Sequence, residues 1–113
     1  MTSKLDKILT LIGDDEPAPT QANRMSHSIS IGETYLIRTV TMHYTGRVIQ
    51  ITDSDIVLQD AAWIADTGRY SEALRNGQLS EVEPYPDGDP VIISRAAIVD
   101  MARWNHPLPR EVK

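Results

Sequence analysis

The sequence contains no cysteine and no phenylalanine, and it has no apolar run near the length that a bilayer requires. Each shortage excludes something. Without cysteine there is no disulfide, no thiol nucleophile and no zinc–thiolate site. Without a stretch of about 20 apolar residues no helix spans a membrane. The first residues also lack the apolar segment of a secretory signal, so the cytoplasm is the expected compartment. With aromatic residues at 5%, the core falls to aliphatic side chains. Trp63 and Trp104 are the largest apolar groups, expected to fill an end of the core or a subunit interface.

What is present describes a single soluble domain. A chain of 113 residues buries only about two thirds of its unfolded surface, enough for one core. The net charge of −5 is unevenly distributed. Residues 66–90 hold two arginines against six acids, while residues 91–113 hold four basic residues against two acids. An acidic chain does not bind a phosphate backbone loosely, because that needs a cationic surface. A small focused basic site remains open.

Along the chain, Ser3 can cap a helix over 1–13 whose Leu5, Ile8, Leu9 and Ile12 share one face, with Gly13 as its stop. Residues 14–28 are polar and aperiodic, as in a flexible linker. The period-two alternation over 29–44 predicts a long strand, broken at Thr45-Gly46. A second strand follows over 47–52, a turn at Asp53-Ser54-Asp55, and a third strand over 56–64. An insertion at 66–90 begins with a short helix over 69–76, closed by Gly77, and continues as an acidic loop carrying Pro84, Pro86 and Pro90. Strands return at 91–93 and again through Ile98, Val99 and Met101, with a turn near Arg95. Residues 105–113, with two prolines, read as a fraying tail. The fold class is mostly β: a strongly bent five-stranded barrel spanning 29–104, with an N-terminal helix and a helical insertion between strands three and four.

The stretches GRVIQITDSDIVLQDA (46–61) and VIISRAAIVDM (91–101) carry a resemblance to the Sm-like family of small SH3-like barrels, which includes Sm, LSm and Hfq proteins. The first looks like that family's signature across strands one to three, and the second like its signature across the last two strands. Order and spacing carry the resemblance over about half the chain. It implies a homo-oligomeric ring of about five to seven copies, closed by edge-to-edge pairing, with Val91, Ile92, Ile93, Ile98, Val99 and Met101 at the interface. It also implies a base-binding turn at Asp53, Ser54 and Asp55 beside Arg95, a guanidinium suited to a phosphate or a base edge. The family's aromatic or asparagine on that turn is absent, and Ala96 stands where Hfq has histidine. Since stacking contributes about 1–3 kcal/mol per base, the resemblance speaks for the fold more than for RNA. The wording DAAWIADTGRYSEAL also resembles uncharacterised phage and prophage proteins.

Other chemistry has plainer readings. His27, His43 and His106 lack metal-ligand spacing, and no cofactor motif is present. Asp53, Asp55 and Asp60 could serve a small hydrolase if they met His43 in a cleft, although Asp53 and Asp55 more simply build a turn. The glycine of DTGRYSEAL lacks a phosphate-loop pattern. The expected role is therefore a non-enzymatic ring scaffold with weak RNA affinity, whose acidic insertion docks a protein partner. The alternatives are an Hfq-like RNA chaperone, a phage structural or assembly protein, and the hydrolase.

Overall fold

β-Branched residues recur in every strand. β1 (Thr34–Thr39) pairs antiparallel with β2 (His43–Ile51), and β2 pairs with the long β3 (Asp55–Asp66). The computed structural model describes residues 28–113, of which residues 31–113 form one compact unit. After β3 come helix α1 (Tyr70–Asn76), β4 (Glu81–Pro84), β5 (Val91–Ser94), a 3-10 turn (Arg95–Ala97) and β6 (Ile98–Arg103). All six strands join one antiparallel sheet in the order β4-β3-β2-β1-β6, with β5 paired to β3. The expected helix over 1–13 and the linker up to residue 27 lie outside the described residues. No helix among the described residues is long and apolar enough to cross a membrane.

β3 serves two partners on one side. Its first residues, 55–58, pair with β5, and residues 62–66 pair with β4. Between them Asp60 and Ala61 together oppose Gly46 of β2, a β-bulge in which Asp60 takes φ 54°. Aspartate tolerates this left-handed conformation better than most residues. The bulge turns the strand, as bulges do, and lets one continuous segment contribute to both halves of the sheet.

The sheet does not close into the expected barrel. β5 and β6 flank the open seam, each with a single ladder partner among the described residues. The 3-10 turn that joins them directs the chain across the seam without a shared ladder.

The core contains Leu36, Ile37, Val48, Ile56, Leu58, Ile64 and Trp104, all essentially inaccessible. Leu36, Ala62, Ile64 and Trp104 form one cluster with Ala73 of α1, Leu79 and Val82 of β4, and Tyr70, Leu74 and Leu108 pack against it. The insertion thus covers part of the core. Helix α1 ends as expected, with Gly77 left-handed and its N–H donating to the Ala73 carbonyl. A Cβ at Gly77 would lie 2.9 Å from the His106 ring, so the close approach as well as the φ of 74° requires glycine.

Three local expectations are corrected. The first break falls at residues 40–42, where the Thr39 hydroxyl accepts the Met42 N–H and donates to its carbonyl. Gly46 therefore lies within β2. The acidic loop over 78–90 contains β4, with Pro84 as its last residue, a position compatible with a missing N–H. Finally, the tail does not fray. Lys113 and Val82 exchange two backbone hydrogen bonds of 3.0 Å each, and Arg110 donates to the carbonyls of Ala61 and Tyr85 and pairs with Asp87. The Trp104 indole N–H donates to the Pro107 carbonyl.

Candidate functional site

The turn at residues 53–55 and Arg95, read from the sequence as two sides of a nucleotide pocket, meet in space. Thr52 builds the turn: its hydroxyl accepts the N–H groups of Ser54 and Asp55, and its own N–H donates to the Asp55 carbonyl. Arg95 closes over it. Its backbone N–H donates to the Ser54 carbonyl at 2.8 Å and its guanidinium to the Thr52 carbonyl at 2.7 Å. Arg95 is half-buried, whereas Asp53 and Ser54 are exposed and Asp55 is intermediate. The guanidinium thus holds a carbonyl of a turn that also carries the carboxylates of Asp53 and Asp55. This arrangement joins the β2–β3 turn to the start of the 3-10 turn. Asp53 and Asp55 give that turn negative charge, which disfavours a phosphate.

The grouping that the alternative hydrolase reading would need is separated by the sheet. His43 begins β2 and pairs with Ile64, whereas Asp55 begins β3 nine residues earlier. At about 3.3 Å per residue the two lie at opposite ends of the hairpin. Asp60, in the bulge, is four residues from Ile64 along the strand. His43 instead lies against Tyr70, with ring centroids 6.1 Å apart. The guanidinium of Arg38 lies 5.7 Å from the centre of the same ring and makes a two-point ion pair with Asp100 of β6. Burial raises the Tyr70 pKa above its ordinary value, Asp100 adds to that rise, and Arg38 opposes it. Hydrogen bonding and charge from Asp100 likewise raise Arg38. These groups fasten β1, β6 and α1 to one another.

A second concavity lies on the outer face of the sheet. Tyr44 of β2, Trp63 of β3 and Glu83 of β4 stand opposite one another across the ladders, and the alternation that buries Thr45, Ala62, Ile64 and Val82 turns these three outward. Met42, Trp63, Glu83, Pro84, Tyr85 and Pro86 line a groove of about 390 Å³. The Tyr44 hydroxyl reaches the Met42 sulfur at 3.4 Å. Burial, and then the proximity of Tyr44, raise the Tyr85 pKa. Trp63 is thus half-buried in an open groove, while Trp104 belongs to the core. The strand parity of Tyr44 and Trp63 was a usable signal for this face. Tyr85 and Arg110 gave none, because their positions depend on contacts between distant segments.

No protein-family model, curated protein or solved structure matches the chain.

Of the residues expected at a subunit interface, Ile92 and Val99 are 65% and 57% exposed, whereas Ile93 is 6% exposed and serves the chain's own core. Val91, Ile98 and Met101 are intermediate.

Proposed function

We propose that this chain is a non-enzymatic, cytoplasmic interaction scaffold of Sm-like architecture, assembling into a homo-oligomeric ring by pairing β5 of one copy with β6 of the next. The observation that carries this reading is the state of the sheet edges. The outer edge of β4 is occupied at Val82 by the tail residue Lys113. β5 and β6 each use one ladder edge only, among the described residues, and expose Ile92 and Val99. Unpaired edges bearing apolar side chains invite further pairing, and a head-to-tail contact whose rotation closes gives a ring. RNA binding has less support, because Arg95 holds the Thr52 carbonyl and two carboxylates sit on the same turn. A phage assembly role is one setting for the same scaffold.

Native mass spectrometry tests the assembly. The expected result is a closed multiple of the 12.6 kDa chain that reverts to monomer in Ile92→Lys and Val99→Lys, each with an unchanged far-UV spectrum. A wild-type protein that stays monomeric at tens of micromolar overturns it, as do charged variants that retain the full assembly mass.

A further inference from the structure

The outer-face groove is a built feature that edge pairing leaves unused. Its floor is Trp63, flanked in register by Tyr44 and Glu83. Its wall is the segment Pro84-Tyr85-Pro86, and the tail fixes that wall. The Tyr85 N–H donates to the Ala61 carbonyl at 2.9 Å, and Arg110 bridges the carbonyls of Ala61 and Tyr85 at 3.0 and 2.8 Å while pairing with Asp87. The arginine nearest the groove therefore has its charge matched by Asp87. Glu83, in contrast, lines the groove and is exposed, and its carboxylate makes no ion pair or hydrogen bond with any described residue. The surrounding segment adds Glu81 and Asp89 and no basic residue between positions 76 and 94.

An apolar groove with aromatic walls and one unpaired carboxylate is complementary to a cation carried on an apolar backbone. An arginine side chain can stack its planar guanidinium on Trp63 or a tyrosine while the fork of N–H groups meets the Glu83 carboxylate. Neighbouring apolar side chains would cover the prolines and Met42. A second copy of this chain is a poorer occupant, because its net charge of −5 opposes an acidic rim. We propose that this groove is a docking site for a peptide segment in which arginine alternates with apolar residues. The site is independent of the β5–β6 edges, so it can succeed or fail separately from ring assembly.

The probe is a fluorescein-labelled synthetic octapeptide of alternating leucine and arginine, with counterparts in which glutamine or glutamate replaces arginine. Binding is read by anisotropy on the full chain. The arginine peptide is expected to bind at least about tenfold more tightly than the glutamine peptide, and the glutamate peptide not at all. Glu83→Gln should weaken the arginine peptide about tenfold, and Trp63→Ala should abolish binding while Trp63→Phe retains most of it. Glu111→Gln, which makes the same charge change outside the groove, should leave it unaltered. Four outcomes overturn the proposal: equal binding of the three peptides, no binding of any, equal losses in Glu83→Gln and Glu111→Gln, or full binding by a folded Trp63→Ala protein. Two more do so by naming another occupant. One is an oligothymidylate that binds the wild type and is lost in Trp63→Ala. The other is a fall in native mass in Trp63→Ala, which would assign the groove to a second copy.

Discussion

Leu58 packs so closely over Gly46 that a Cβ added to the glycine would lie 3.0 Å from both the Cβ and the Cδ1 of the leucine. The Leu58 Cβ is fixed to the β3 backbone and cannot swing away as a flexible side-chain end could, so a methyl at position 46 needs the facing strand to give by a few tenths of an ångström. Gly46→Ala is expected to lower unfolding free energy by about 1–3 kcal/mol. Denaturant melts should show it as a lower midpoint, and an unchanged midpoint would mean that the strands accommodate the methyl.

Asp60 has a positive φ of 54° within β3, so its role is conformational before it is chemical. Asp60→Gly or Asp60→Asn should hold or raise stability, and Asp60→Val should lower it by about 1–2 kcal/mol. Thermal melts of the three variants discriminate this from a role for the carboxylate, under which all three would suffer alike.

Thr45 is fully buried and its hydroxyl has no hydrogen-bond partner among the described residues. A buried hydroxyl left unmade is a net cost. Thr45→Val, which keeps the branched shape and removes the oxygen, is expected to stabilise the fold by about 1 kcal/mol. A loss of stability in chemical denaturation would contradict this.

Tyr70 and Tyr85 both have pKa values raised above 10.0, chiefly by burial. The folded state therefore holds these protons more tightly than the unfolded chain does. Their contribution is complete below pH 10 and is lost as pH rises through the folded-state values. Stability measured from pH 8 to 11 should fall on the alkaline side, and Tyr70→Phe with Tyr85→Phe should flatten that fall. An identical slope in the double variant would place the transition elsewhere.

Much of the β pattern is legible in the sequence because it is local. The alternation around Val48, Ile56, Leu58 and Ile64 marks the strand faces, and Asn76-Gly77 marks a helix stop whose left-handed geometry needs no distant partner. The first hairpin turn is hidden because neither glycine nor proline punctuates it: a threonine hydroxyl at position 39 does so. β4 is hidden because two glutamates and a proline resemble a loop, while its buried Val82 reveals a strand only once β3 lies beside it. At the expected site, proximity between residues 53–55 and Arg95 follows from strand order, so it could be anticipated. That the guanidinium holds a backbone carbonyl could not, because the choice between a ligand and the chain's own peptide depends on fractions of an ångström. The outer groove depends on Arg110 reaching across 49 positions to Ala61, a contact no periodicity encodes.

The bulge at Asp60 has a kinetic consequence. Because it lets β3 change partners without ending, this strand takes part in the ladders of β2, β4 and β5 together, and no local opening can release it without breaking several. Its paired amides should be the slowest in the molecule to exchange with deuterium, while those of β6, which among the described residues of one copy pairs with β1 alone, should exchange in the isolated chain through a smaller opening. The protein is in this sense organised around a spine, with an outer strand that can fray from the seam while the rest stays folded.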